Sequence, residues 1–441
     1  MVNIHHKTLQ DLEFQIVLEQ VSELCITSLG KNAVLSILPF ANKEIALKEL
    51  NYVNEYLASF SNENRIPNHG FDDISKELKL LKIENTYLEV QHLQKLAATS
   101  LTINTLLKFL KKFKTYYPNL ESLAQPIEIT NVIVEQVDSI IDRFGEIKDD
   151  ASPTLFQLRQ DINKLRVKLN SSFNSALNTY HQQDFLDPIR ESVVENKRVL
   201  AVKAMYRRKV KGAIMGGSKT GSIVYIEPDI TLQYSRELNN LEYEEQEEVI
   251  KILKSVTDYF RLFRPLFIQY QEFLTKIDVI SAKAKYARTL NATLPKISEQ
   301  QTLFLKNAFH PLLYLSNKEH KKKTFPQTIG LNKNNRIIVI SGPNAGGKSI
   351  TLKTVGLLQA MIQSGFLIPV HENSEVCFFD RILSDIGDNQ SIENHLSTYS
   401  YLIKQMNYFL KKCNQNTLFL IDEFGTGSDP ELGGALAEIF L

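Results

Sequence analysis

Residues 336–354, RIIVISGPNAGGKSITLKT, constrain this chain more than any other stretch. Ile337, Ile338, Val339 and Ile340 form a β-branched run that reads as a short buried strand. Gly342, Pro343, Asn344, Ala345, Gly346, Gly347, Lys348 and Ser349 fit the pattern G-x-x-x-x-G-K-[ST], and helical spacing begins at Ile350. Strand, glycine-rich loop and helix, in that order, is the context in which this pattern cradles phosphate. The loop points backbone N–H groups at an anion, and the helix dipole favours negative charge there. Glycines let the backbone approach where a Cβ would obstruct. Lys348 is placed to reach the β- and γ-phosphates of ATP, and Ser349 to offer its hydroxyl to Mg²⁺.

Bulk numbers bound the rest. A chain of 441 residues accommodates about two to four domains. The formal net charge is +1, so a nucleic-acid surface must be local. Cys25, Cys377 and Cys413 lie far apart, form no C-x-x-C, and are expected as reduced thiols in a cytoplasmic protein. Neither a signal peptide nor a stretch of membrane-spanning length is expected.

The first 125 or so residues read as mostly helical, with an apolar face ending near Gly30 and breaks at Pro39 and residues 64–70. His5 and His6 have no ligand partner at suitable spacing and read as surface residues. Ser152 is a candidate N-cap with Pro153 in the first turn. From there Leu155, Leu158, Ile162, Leu165, Leu169, Phe173 and Leu177 make one apolar stripe, a helix of about 40 Å. A second stripe, Leu238, Leu241, Val249, Ile252, Val256 and Tyr259, is interrupted by Glu245. The acidic run at residues 242–248 reads as a solvated face. Two such helices suggest an antiparallel pair with a module at its tip. In that module residues 198–203 and 222–226 look like strands, and glycines at 212, 216, 217 and 221 supply turns. Residues 197–226 hold eight basic side chains and no acid: Lys197, Arg198, Lys203, Arg207, Arg208, Lys209, Lys211 and Lys219. The expectation is a small β-module that touches phosphate backbone without reading sequence. The alternative is a solvated sheet whose edges carry charge. Helices are expected on to about Leu290, and residues 320–323, His-Lys-Lys-Lys, read as an exposed loop.

Residues 417–421 form an apolar run delivering Asp422 and Glu423, roughly 75 residues after Lys348. After a phosphate loop at this distance, the pair reads as the carboxylates for the Mg²⁺ shell (Asp422) and for the attacking water (Glu423). Gly425 to Pro430, GTGSDP, follows as a small-residue turn.

These motifs resemble the MutS family of ATP-dependent DNA clamps, related to ABC-type ATPases. The carriers are the phosphate loop with its Gly-Pro-Asn start, residues 385–391 (DIGDNQS), residues 396–400 (LSTYS), and Asp422-Glu423 with GTGSDP. Residues 353–358, 363–369, 149–153 and 225–228, together with Leu12-Glu-Phe14, look like the second bacterial type, the anti-recombination branch. The resemblance implies a multidomain chain. Its parts would be an all-α core at 1–130, lever helices and core at 131–290 with a β-rich clamp at 185–232, and a C-terminal α/β P-loop ATPase domain at 291–441. It implies ATP and Mg²⁺ as cofactors, Ser397 acting in trans on a partner's nucleotide, and a homodimer. The partner would be branched or recombination-intermediate DNA, or ribosomal RNA on stalled ribosomes. Candidate nucleic-acid contacts are Lys203, Arg207, Arg208, Lys209, Lys211 and Lys219.

Two departures shape the expectation. The domain with which mismatch-repair members read mispairs has no counterpart, which favours structure-selective binding. The sequence also stops 18 residues after Glu423, before the switch histidine, the further strands and the nuclease domain that the family implies. A truncated, non-catalytic nucleic-acid-binding fragment is therefore the alternative, and an SMC-like ABC ATPase a more distant one.

Overall fold

The computed structural model describes residues 4–342, 347–386, 398–422 and 430–440. Its backbone divides into two compact units, one of residues 1–73, 99–130 and 268–441, the other of residues 74–98 and 131–267. The fold is multidomain and mixes long helices with small sheets. Among the described residues, no helix is long and apolar enough to cross a membrane.

The second unit is organised by two helices. Pro153–Gln182 starts where expected: the Ser152 hydroxyl accepts from the Leu155 N–H at 3.0 Å, with Pro153 in the first turn. Leu155, Ile162, Leu165 and Phe173 of the predicted stripe are buried. The return helix, Asp229–Arg261, buries Ile252, Leu253, Val256 and Phe260, so Phe260 takes the place expected of the exposed Tyr259. Ser152 binds Glu248 at 2.7 Å, Arg159 binds Glu245 at 2.7 Å, and Arg166 binds Glu242 at 2.8 Å. Residue numbers rise on one helix as they fall on the other, so the pair is antiparallel. The same contacts correct the reading of residues 242–248 as a wholly solvated face. An i, i+3 row of its carboxylates points at the neighbouring helix, and Glu245 fills an expected apolar position because Arg159 meets it there.

Between the helices lies a four-stranded antiparallel sheet, β1 (Leu186–Val194), β2 (Lys197–Lys203), β3 (Gly212–Gly217) and β4 (Ile223–Pro228), in the order β1-β2-β4-β3. Two of the four were expected. Leu186, Leu200, Val202, Val210 and Ile226 close over Phe173 and Ala176 of the outgoing helix. At Gly212 a Cβ would collide with the backbone of Glu227, so only glycine lets β3 approach β4 there.

The first unit is helical at its N-terminus, as expected. Gly30 is not a helix end, however. It lies in the first turn of Ser28–Leu35, capped by Thr27, where a Cβ would strike the Asp278 carboxylate. Asp278 is fully buried in helix Arg264–Leu290. It accepts from the N–H groups of Ile26 and Thr27 at 2.9 Å each and from the Thr27 hydroxyl at 2.7 Å, with His69 Nε2 at 3.4 Å. Beyond Leu290 come β5 (Lys296–Ile297), β6 (Leu303–Ala308), β7 (Gln327–Leu331) and β8 (Glu375–Val376) in one mixed sheet, and a parallel pair, β9 (Arg381–Asp385) and β10 (Thr417–Ile421).

The expected strand at 337–340 does not form. Ile337, Ile338, Val339 and Ile340 are 54, 44, 81 and 38% exposed, and no ladder among the described residues includes them. A β-branched run makes a buried strand only when neighbours pair its backbone and layers cover its faces. Composition supplied the run, and no strand among the described residues pairs with it.

Candidate functional site

Helix Lys348–Gln363 begins at Gly347, whose φ of +82° a side chain would resist. Gly347, having no side chain, makes no cap hydrogen bond, and a helix N-terminus of this kind suits an anion. The Lys348 ammonium donates to the Gly342 carbonyl at 2.6 Å and ties the two ends of the loop together. Ser349 is exposed. Pro343, Asn344, Ala345 and Gly346 lie outside the described residues.

The helix is held by contacts from distant sequence. Gly356 lies where a Cβ would collide with Leu12 of the N-terminal segment and Leu420 of β10. Lys353 pairs with Glu13 at 2.9 Å. Gln359 donates to the Cys377 carbonyl at 2.8 Å, and Gln363 exchanges two hydrogen bonds with the Phe379 backbone. Just past the helix C-terminus, buried Lys283 donates to the Ser364 carbonyl at 2.8 Å and sits 4.4 Å from the Phe366 ring centroid. A cation suits the negative end of a helix dipole. Burial pulls this ammonium down to about 7, with Glu49 opposing the shift and Lys276 adding to it. None of these supports has a sequence signal, because each joins positions tens to hundreds of residues apart.

Strands β9 and β10 run parallel in the register Thr417↔Arg381 to Ile421↔Asp385, so both end at one edge. There the Asp422 N–H donates to the Asp385 carbonyl at 2.9 Å. Ligands of parallel sheets bind outside this carboxyl edge. The N-terminal helix His6–Asp11 braces β9: Thr8 donates to the Ile382 carbonyl at 3.3 Å and Ser384 to the Asp11 carboxylate at 2.8 Å. Asp422 is half-buried. Glu423, Ser397 and residues 387–391 and 425–429 of the other motifs lie outside the described residues. Among the described residues no cluster of three or more His, Cys, Asp or Glu could hold a metal ion. Cys25, Cys377 and Cys413 are free thiols.

The eight basic residues of the sheet divide into two groups. Lys197 pairs with Glu227 at 3.0 Å, and Lys203 with Asp184 at 2.8 Å. Arg198 binds Glu191 at 2.6 Å as well as Asn170 and Asn174, over the Phe173 ring. The acids come from just outside residues 197–226, which is why the sequence window missed them. Arg207, Arg208, Lys209, Lys211 and Lys219 are exposed and have no ion pair among the described residues. Lys209 lies over the Phe185 and Tyr206 rings, which stack 4.8 Å apart.

Residues 338–440 match the model of MutS domain V. Proteins named Endonuclease MutS2 are similar over nearly the whole chain. The one from Caldicellulosiruptor bescii is 32% identical over 440 residues, covering 99% of this chain and 55% of the relative. The one from Finegoldia magna is 34% identical over 448 residues, covering 98% and 54%. The chain belongs to the MutS family, in its second bacterial type. It spans about half the length of the MutS-family relatives it matches, so the endonuclease in their name is a statement about those proteins. This placement also sets aside the SMC-like alternative.

Proposed function

We propose that this MutS-type chain is an ATP-dependent clamp that acts as a homodimer in the cytoplasm on branched or recombination-intermediate DNA. In this reading the nucleotide rests on the Gly347-capped helix. Gly342, Asn344, Ala345, Gly346 and Gly347 supply backbone donors, Lys348 the charge on the β- and γ-phosphates, and Ser349 and Asp422 two ligands of Mg²⁺, with Pro343 shaping the loop. The metal would neutralise charge on the phosphates. Glu423 orients the attacking water, and Ser397 of a second copy completes the site. The helix pair serves as the lever and β1–β4 as the clamp, within the partition 1–130, 131–290 and 291–441. ATP favours the closed state only by binding it more tightly than the open one.

The observation that carries the reading is the division among the basic residues. Lys203, one of the six candidates, is tied to Asp184, whereas Arg207, Arg208, Lys209, Lys211 and Lys219 have no acidic partner among the described residues. Reversing charge at Arg207, Arg208 and Lys209 is expected to weaken duplex binding and to flatten its salt dependence by about 0.9 in slope per lost phosphate contact. An unchanged slope rejects the clamp. Ribosomal RNA offers the same phosphates, so competition between a four-way DNA junction and structured RNA decides which is preferred. Lys348→Ala is expected to abolish the effect of ATP on either.

The exposed run at 337–340 favours a second reading, a module that binds nucleotide and nucleic acid without turnover. Steady ATP hydrolysis by residues 1–441 that Lys348→Ala removes would eliminate it.

A further inference from the structure

Between helix Pro311–Glu319 and β7 runs a basic loop that the proposed clamp does not use. His320, Lys321, Lys322 and Lys323 are consecutive and exposed, and none of the three lysines has an ion pair among the described residues. The loop is shaped from within. Lys322 N–H donates to the Asn317 carbonyl at 2.8 Å, and the Asn317 amide donates to the Thr324 hydroxyl at 3.0 Å. Lys321 takes the left-handed conformation at φ +55°. These contacts fix the backbone and leave the ammonium groups to solvent.

Two residues on, Phe325 is 72% exposed, with the Lys323 ammonium 5.2 Å from its ring centroid. A phenylalanine facing water forgoes a large burial gain. Here it stands beside three lysines that have no ion pair among the described residues. Cations that track a backbone, next to an aromatic face open to solvent, are the two parts of a single-strand nucleic-acid site. Every unpaired base offers a face to stack, and every nucleotide a phosphate. A duplex has its base faces already stacked and does not use such a ring.

We infer that residues 320–325 form a second nucleic-acid surface, one that takes single strands by stacking a base on Phe325 while Lys321, Lys322 and Lys323 hold the neighbouring phosphates. This surface goes beyond the clamp reading and does not depend on it.

The test uses the full 441-residue chain and a 12-nucleotide oligo(dT) carrying one 2-aminopurine, whose fluorescence falls on stacking. Lys321→Glu, Lys322→Glu and Lys323→Glu combined are expected to weaken binding and to flatten the salt slope by about 2, at roughly 0.7 per phosphate of a single strand. Phe325→Ala is expected to lose about tenfold in affinity and the stacking signal, and Phe325→Trp to retain both. The same measurements are repeated in the Arg207→Glu, Arg208→Glu, Lys209→Glu background. Loop effects that persist there support the inference whether or not the clamp reading survives. An unchanged slope in the lysine variant overturns it, as does an unchanged stacking signal in Phe325→Ala. Oligonucleotide binding abolished by the sheet variant alone also overturns it, in favour of one site on the sheet.

Discussion

Asp278 shows how one side chain organises a distant segment. Burial alone would raise its pKa, but bonds from His69, Ile26 and Thr27 outweigh that and hold it at about 2. A carboxyl lowered on folding adds stability that is complete above its ordinary value near 3.8 and is lost as pH falls through about 2. The contribution is about 2 kcal/mol. The stability gap between the chain and Asp278→Asn should therefore be flat above pH 4 and shrink towards pH 2 in urea titrations; a gap independent of pH rejects this account. Gly356 offers a sharper sign test. Alanine in a helix interior normally gains about 1 kcal/mol over glycine. At Gly356 the added Cβ meets Leu12 and Leu420, so Gly356→Ala is expected to cost ~1–3 kcal/mol. A stabilised variant would mean that the helix has room to shift. Neither residue was legible in the sequence. Gly30 was read as a helix end because its role is to make space for a carboxylate some 250 positions away.

Among the elements, the long helices were the most legible, since periodicity and the Ser152-Pro153 cap are local signals. The edge strands were the least. β1 contains Pro188 and charged residues, and β3 is half glycine, so both resembled loops. Edge strands tolerate such residues because one side of the backbone has no ladder to make. The helix pair carries its own prediction. Arg159 and Glu245 are three-quarters buried, whereas Arg166 and Glu242 are half-exposed. Double-mutant cycles should give a coupling of about 1 kcal/mol for the first pair and close to zero for the second. Equal couplings would show that burial does not separate them.

For the molecule as a whole, the helix after the phosphate-loop motif and the strand before Asp422 were legible and their setting was not. The carboxylate strand formed as expected, whereas residues 337–340, with the stronger β composition, remain exposed. The difference is pairing: β10 has β9 beside it and helix Lys348–Gln363 against it, and the earlier run has no strand partner among the described residues. Four consecutive exposed apolar side chains should bind the dye ANS in the folded chain. Ile338→Lys with Val339→Lys should remove most of that signal without lowering the melting temperature. A lower melting temperature would mean that the run is packed after all.

The three polar contacts between the long helices also bear on mechanics. Sliding one helix past the other by a single turn, about 5.4 Å, would break the Ser152–Glu248, Arg159–Glu245 and Arg166–Glu242 contacts together. The arm therefore behaves as a strut rather than a telescope. In the proposed clamp, a displacement of the sheet at one end would reach the Ser152 end as rotation or bending of the rod rather than as sliding.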